Sequence, residues 1–100
     1  MTWATDRRLD YVDWRLLNHG SVQRSDIVRT FDVSPTQASV DLREFDRAHP
    51  GAMTYDNSAA VRAYVPANGR YRSQRGMDAV PVRRALRLLA DAGHPMGWRE

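Results

Sequence analysis

The sequence predicts a mainly α domain with one small β-hairpin and an added C-terminal helix. Three observations give that fold class. A serine-capped amphipathic segment fills residues 34–49, a shorter segment with helical apolar spacing precedes it across a tight turn, and two runs of β-forming residues flank Asp56-Asn57-Ser58 beyond it. One hundred residues suffice for a single small domain with a modest core.

The first helix is expected over about Asp6 to His19, with Gly20 as its stop. Its Leu9, Val12, Leu16 and Leu17 form one apolar patch, while Tyr11 and Trp14 fall on nearly the opposite side. A second helix follows, with Ser25 as the candidate cap of Asp26-Ile27-Val28-Arg29-Thr30-Phe31 and with Ile27 and Phe31 at i, i+4. Val33 sits in the turn before Ser34.

The third helix has the strongest start signal in the chain. Ser34 is placed to accept from the backbone N–H near Gln37, Gln37 to reach back to the Ser34 amide, and Pro35 to occupy the helical position where its missing donor costs nothing. At about 100° per residue, Ala38, Leu42 and Phe45 share one stripe. Thr36, Val40, Arg43 and Arg47 cluster on another, flanked by Gln37 and Ser39. His49-Pro50-Gly51 ends the helix. On its own such a face also suits an ordinary solvated surface helix, but two helices joined by a tight turn make a helix-turn-helix. In that motif the second helix enters the DNA major groove with its N-terminal residues nearest the base edges. Ser34, Thr36, Gln37, Ser39, Val40 and Arg43 are the candidates by position. Gln pairs bidentately with adenine and Arg with guanine, and Val methyls suit a thymine methyl. Arg47, further along, suits phosphate.

The segment Ala52 to Pro66 reads as a hairpin directly after the helix-turn-helix, hence a wing spanning 53–65. Val61, Ala63 and Val65 alternate with Arg62 and Tyr64 in its second strand. Asn57, Ser58 and Arg62 are placed to touch the sugar-phosphate backbone or a minor groove, although Asn57 and Ser58 serve equally well as turn formers.

Charge is unevenly spread. Residues 1–61 carry seven arginines against nine acids, residues 62–87 seven against one, and residues 88–100 one against two. All fifteen basic residues are arginine, and each offers the planar fork that suits phosphate and guanine. A GC-rich genome gives the same bias. Asn68 to Gly76, with three arginines and two glycines, looks like a flexible basic arm or a solvated linker. A C-terminal helix follows over roughly Pro81 to Ala92, with Val82, Ala85, Leu86, Leu89 and Ala92 as its stripe and Gly93 and Pro95 at its end. Its stripe needs a surface. Tyr11, Trp14, Trp3 and Trp98 supply one, within the chain or across a homodimer in which Tyr11, Trp14, Val82, Leu86 and Leu89 form the contact. The expected plan is therefore a winged helix-turn-helix over 1–66, a basic arm or linker over 67–79, and a C-terminal helix and tail over 80–100.

Several function classes are disfavoured. The chain has no cysteine, which removes disulfides, cysteine nucleophiles and thiolate zinc sites. No run approaches the roughly 18 apolar residues of a membrane span, and the N-terminus lacks the apolar stretch of a signal peptide, so a cytoplasmic protein is expected. His19, His49 and His94 show no spacing that suggests a triad or a metal, and no glycine-rich phosphate loop is present. No enzyme, metal or cofactor is expected. His19 and His49 read as residues at helix C-termini, where positive charge is favoured.

The ordered motifs Asp13-Trp14-Arg15-Leu16-Leu17-Asn18-His19-Gly20, Arg24-Ser25-Asp26-Ile27-Val28, Phe31 to Leu42, Tyr55-Asp56 and Tyr64-Val65-Pro66 resemble the N-terminal winged helix-turn-helix of WYL-domain transcriptional regulators. The similarity is greatest to the repressors found with bacterial phage-defence islands. It covers about residues 8–66. The resemblance implies a homodimeric repressor that binds an inverted repeat in double-stranded DNA. Those regulators continue into a ligand-sensing domain, and this sequence ends at Glu100, so no ligand-sensing role is carried over. The competing expectation is a winged-helix protein-interaction module, an adaptor or antitoxin-like partner. It draws on Asp41, Glu44 and Asp46, which sit poorly near phosphates if turned outward.

Overall fold

Three helices pack around one core, and a two-stranded hairpin closes its side. The computed structural model describes residues 3–79. The helices are α1 (Trp3–Asn18), α2 (Arg24–Phe31) and α3 (Pro35–Ala48); the strands are β1 (Met53–Asp56) and β2 (Ala63–Pro66), with a short 3₁₀ helix at Met77–Ala79. The strands are antiparallel with Met53 opposite Pro66 and Asp56 opposite Ala63. Val22, between α1 and α2, adds a one-residue bridge to Tyr64, its N–H donating to the Tyr64 carbonyl at 2.9 Å and its carbonyl accepting at 3.0 Å. The expected winged helix-turn-helix is borne out.

Helix α1 starts three residues before the expected Asp6. The Arg7 guanidinium lies over the Trp3 ring at 5.8 Å, an i, i+4 pair that supports the added turn while Trp3 stays exposed. Gly20 ends the helix as expected: its φ of 76° is left-handed, and both His19 and Gly20 donate to the Arg15 carbonyl.

Helix α2 also begins earlier than expected, and Ser25 is not its cap. Gln23 is, because the Asp26 carboxylate, three residues on, accepts from the Gln23 N–H at 2.7 Å. The Ser25 hydroxyl instead donates to Gln23 Oε1. Asp32 closes α2 in the left-handed region, with φ 56°, and its N–H donates to Val28. That single residue turns the chain toward Ser34, which caps α3 by accepting from the Gln37 N–H at 3.0 Å.

Leu9, Val12, Leu16, Ile27, Phe45 and Ala38 are almost wholly buried where the helices meet. Tyr11 and Trp14, expected to meet the C-terminal helix within the chain or across a dimer, are covered. They are 2% and 6% exposed, with the Tyr11 ring edge-on to Phe31 at 5.3 Å. Their side of α1 is covered, so within the folded chain they do not form a free surface for a second copy. Val82, Leu86, Leu89 and the rest of the expected C-terminal helix lie outside the described residues.

The largest departure concerns the expected basic arm. Residues 71–77 lie along α1 as a strap, with Tyr71, Ser73 and Arg75 turned inward and Arg72, Gln74 and Gly76 exposed. Its anchor is Asp13, which is fully buried. The carboxylate accepts from the Tyr71 hydroxyl at 2.6 Å, the Ser73 hydroxyl at 2.5 Å, the Gln74 N–H at 2.8 Å and the Arg75 N–H at 3.1 Å. The Arg75 guanidinium continues along the same face of α1 to Asp10 at 2.7 Å and Asp6 at 3.5 Å. Burial, and then donation to Asp13, hold the Tyr71 phenol far above its usual range. Met77 is buried beyond the strap and belongs to the core cluster.

Candidate nucleic-acid interface

Helix α3 presents the predicted face because its other side is fixed twice over. Ala38, Leu42 and Phe45 are buried in the core, and Asp41, 1% exposed, receives Arg8 Nε of α1 at 2.6 Å and Gln37 Nε2 at 3.0 Å. A carboxylate buried to that degree needs such partners. The bond from Gln37 replaces its expected reach back to the Ser34 amide, so the Gln37 side chain is engaged and half-buried. Thr36, Val40, Arg43 and Arg47 are exposed, as the helical phase predicts.

Between α3 and the wing lies an open groove of about 550 Å³. Gln23 and Arg24 at the start of α2, Ser39 and Arg43 from α3, and Tyr55 and Arg62 from the wing line it, and no carboxylate does. The three guanidiniums thus face one concavity without a counter-charge in its walls. Arg24 donates to the Ser39 hydroxyl at 3.3 Å, while no hydrogen bond or ion pair engages the side chains of Arg43 and Arg62 among the described residues. A shallower concavity on the outer face of α3 is bordered by Val40, Arg43, Glu44, Asp46 and Arg47.

The wing loop between the strands is built on Ser58. Its N–H donates to the Asp56 carboxylate at 2.9 Å, and its carbonyl accepts from the Val61 and Arg62 N–H groups. The bonds from Ser58 hold the Asp56 carboxyl below the usual carboxylate range. Ser58 is therefore a turn former, one of its two expected roles, and both Asn57 and Ser58 remain exposed at the loop. Val61 is not in the second strand as expected. The loop runs through Arg62, whose φ of 47° is left-handed, so β2 begins only at Ala63.

Of the sequence-predicted residues, Ser39, Arg43 and Arg62 come together at the groove. Val40 and Arg47 sit on the adjoining outer face, and Ser34 spends its hydroxyl oxygen on the α3 cap. Arg24 and Tyr55 were not expected there. Arg24 falls before the expected Ser25 cap, and only the earlier start of α2 in the structure makes it the first helical residue, where the helix dipole favours an acid and not a cation. Local conflicts of that kind concentrate at functional positions. Tyr55, 48% exposed and edge-on to Tyr64 at 5.1 Å, gives no such sign.

The acids that favoured a protein-interaction module are mostly neutralised. Asp41 is buried against Arg8, and Glu44 is bonded to Arg47 one turn along. His19 and His49 depart from their expected role as helix-end cations. Burial first, then the charge of Arg15 for His19 and of Arg75 for His49, lower both imidazoles below their usual range. Each ring instead packs against an aromatic, Trp14 at 5.2 Å and Phe45 at 4.9 Å.

Residues 4–72 match the family described as the BrxR transcriptional regulator winged helix-turn-helix domain. The chain belongs to that family. The BrxR match runs past the end of β2 and takes in both Asp13 and Tyr71, the two ends of the strap's principal bond. Curated relatives carry the name DNA-binding transcriptional repressor CapW. The protein of that name from Escherichia coli (strain KTE188) is 39% identical over 59 residues, covering 59% of this chain and 20% of the relative. The Stenotrophomonas maltophilia protein is 34% identical over 64 residues, covering 64% and 21%. The Pseudomonas aeruginosa protein is 36% identical over 59 residues, covering 59% and 20%. The chain thus spans about a fifth of the length of the relatives it matches. Among the described residues no helix is long and apolar enough to cross a membrane.

Proposed function

We propose that this BrxR-type domain binds double-stranded DNA in a sequence-specific manner as a transcriptional repressor. In this reading α3 enters the major groove and the wing rests on the backbone. The carboxylate-free groove faced by Arg24, Arg43 and Arg62 carries the reading. Three uncompensated guanidiniums on three different elements repel one another, and a polyanion that threads between α3 and the wing relieves that repulsion. Thr36, Ser39, Val40 and Arg43 are then the base-facing set and Arg24, Arg47 and Arg62 the phosphate-facing set. The CapW relatives, named as DNA-binding transcriptional repressors, support the same function. The role is binding, not catalysis, in the cytoplasm.

The domain acts as a homodimer on an inverted repeat, with half-sites about one helical turn, 34 to 36 Å, apart or a multiple of it. Because Tyr11 and Trp14 are buried, the dimer contact is assigned to the 80–100 segment, with Val82, Leu86 and Leu89. Selection of bound sequences from a random duplex pool tests the whole reading. Enrichment of a two-fold symmetric site is expected. Recovery of no sequence, together with binding that is indifferent to salt, overturns it.

A further inference from the structure

We infer that Gln23 is the positioning residue of the wing: although it too lines the groove, its side-chain amide is spent on the Arg62 and Val61 carbonyls, and it acts by holding Arg62 where Arg62 makes the phosphodiester contact. The inference rests on the DNA reading above and extends it to a residue outside the contact surface predicted from sequence.

The wing is joined to the helical part through the main-chain bridge of Val22 to Tyr64. Past that bridge the loop folds on itself around Ser58. Gln23 Nε2 reaches across to it, donating to the Arg62 carbonyl at 3.2 Å and the Val61 carbonyl at 3.4 Å. The other end of Gln23 is fixed. Its N–H donates to Asp26 and its Oε1 accepts from Ser25, while Asp26, 5% exposed, is paired with Arg29 at 2.8 Å and Arg15 at 3.5 Å. A braced donor therefore grips the backbone at the one wing residue in a left-handed conformation. For an arginine that conformation is strained and persists only where its surroundings enforce it. Release of the carbonyl lets φ return to negative values, which swings the Arg62 side chain away from its present line. Gln23 is itself exposed, so it contributes orientation and not core stability.

Gln23→Met keeps the length of the side chain and removes the amide, both the Nε2 donor to the wing and the Oε1 acceptor of the exposed Ser25 hydroxyl. The urea midpoint should be unchanged, and the amide resonances of Arg62 and Ala63 should move in the DNA-free protein. Affinity for a selected duplex should fall about three- to tenfold, the net worth of one or two solvent-facing hydrogen bonds. The salt slope of binding should drop by about one, as for Arg62→Ala, and Gln23→Met should add nothing in an Arg62→Ala background. Wild-type affinity in Gln23→Met, or losses that add across the two variants, overturns the positioning role while leaving DNA binding intact. A wild-type protein that binds no duplex overturns the DNA reading and this role with it. An unmoved Arg62 resonance in Gln23→Met overturns the contact itself.

Discussion

The Tyr71 hydroxyl donates to the buried Asp13 carboxylate at 2.6 Å, joining residues fifty-eight positions apart. With Ser73 and the Gln74 and Arg75 amides it surrounds Asp13 with neutral donors, the partners that a carboxylate with almost no access to water requires. Asp13→Ala leaves those donors unpaired beneath the strap and should destabilise the domain by about 3 kcal/mol or more. Tyr71→Phe, which removes one donor, should cost about 1 kcal/mol. Urea denaturation measures both. Equal, small losses would show that the strap is a surface decoration.

Arg43 lines the groove and borders the outer concavity of α3, with no partner for its side chain among the described residues. Arg43→Ala should weaken binding to a selected duplex by about 1 to 3 kcal/mol and relax base preference at one position per half-site, the signature of a lost bidentate contact to guanine. Repeating the random-pool selection with the variant reads out both effects. An unaltered preference would place Arg43 on phosphate.

Arg62 stands on the wing side of the same groove. Arg62→Ala should reduce affinity for selected and random duplexes by similar factors, because a phosphate contact carries no sequence information. Titrations at several salt concentrations check this. A loss confined to the selected sequence would mean that the wing reads bases.

His19 and His49 are lowered from the usual imidazole value, chiefly by burial. In the unfolded chain both take up a proton near pH 6.5, whereas in the fold they do so only at lower pH. The unfolded state therefore binds more protons below about pH 6.5, and stability rises with pH through that window. Stability should be level above neutrality and decline as pH falls from about 6.5 toward the folded-state values. Urea midpoints across this range, compared with a His19→Gln, His49→Gln double variant, should show the decline reduced in the variant.

The helix-turn-helix was legible because its signals are local: the Ser34-Pro35 start, the period of Ala38, Leu42 and Phe45, and the i, i+4 pair of Ile27 and Phe31 all act within a few positions. The strap was not, because its partners to Asp13 lie 58 to 62 residues away, and a glycine- and arginine-rich stretch has the composition of a linker. That Tyr11 and Trp14 need a cover was legible from their phase on α1, opposite the core stripe; that the Tyr11 ring meets Phe31 was not, because that contact is tertiary. Asp13 itself carried a clue. An acid between Val12 and Trp14, inside an apolar run, must find donors if the run is buried. Arg24 and Tyr55 entered the groove through tertiary packing, which no periodicity records.

The Arg8 to Asp41 pair, with side chains only 11% and 1% exposed, locks α1 and α3 together on the buried side of α3. If α3 is the reading helix, as proposed, this pair fixes its orientation before it meets DNA, so less conformational freedom remains to be lost on docking. Substitutions at Arg8 would loosen the orientation of a helix that begins twenty-seven positions downstream, and under the proposed function would weaken recognition from a residue on another helix. Discrimination between sequences is in this sense a property of the whole scaffold and not of the fingertips alone.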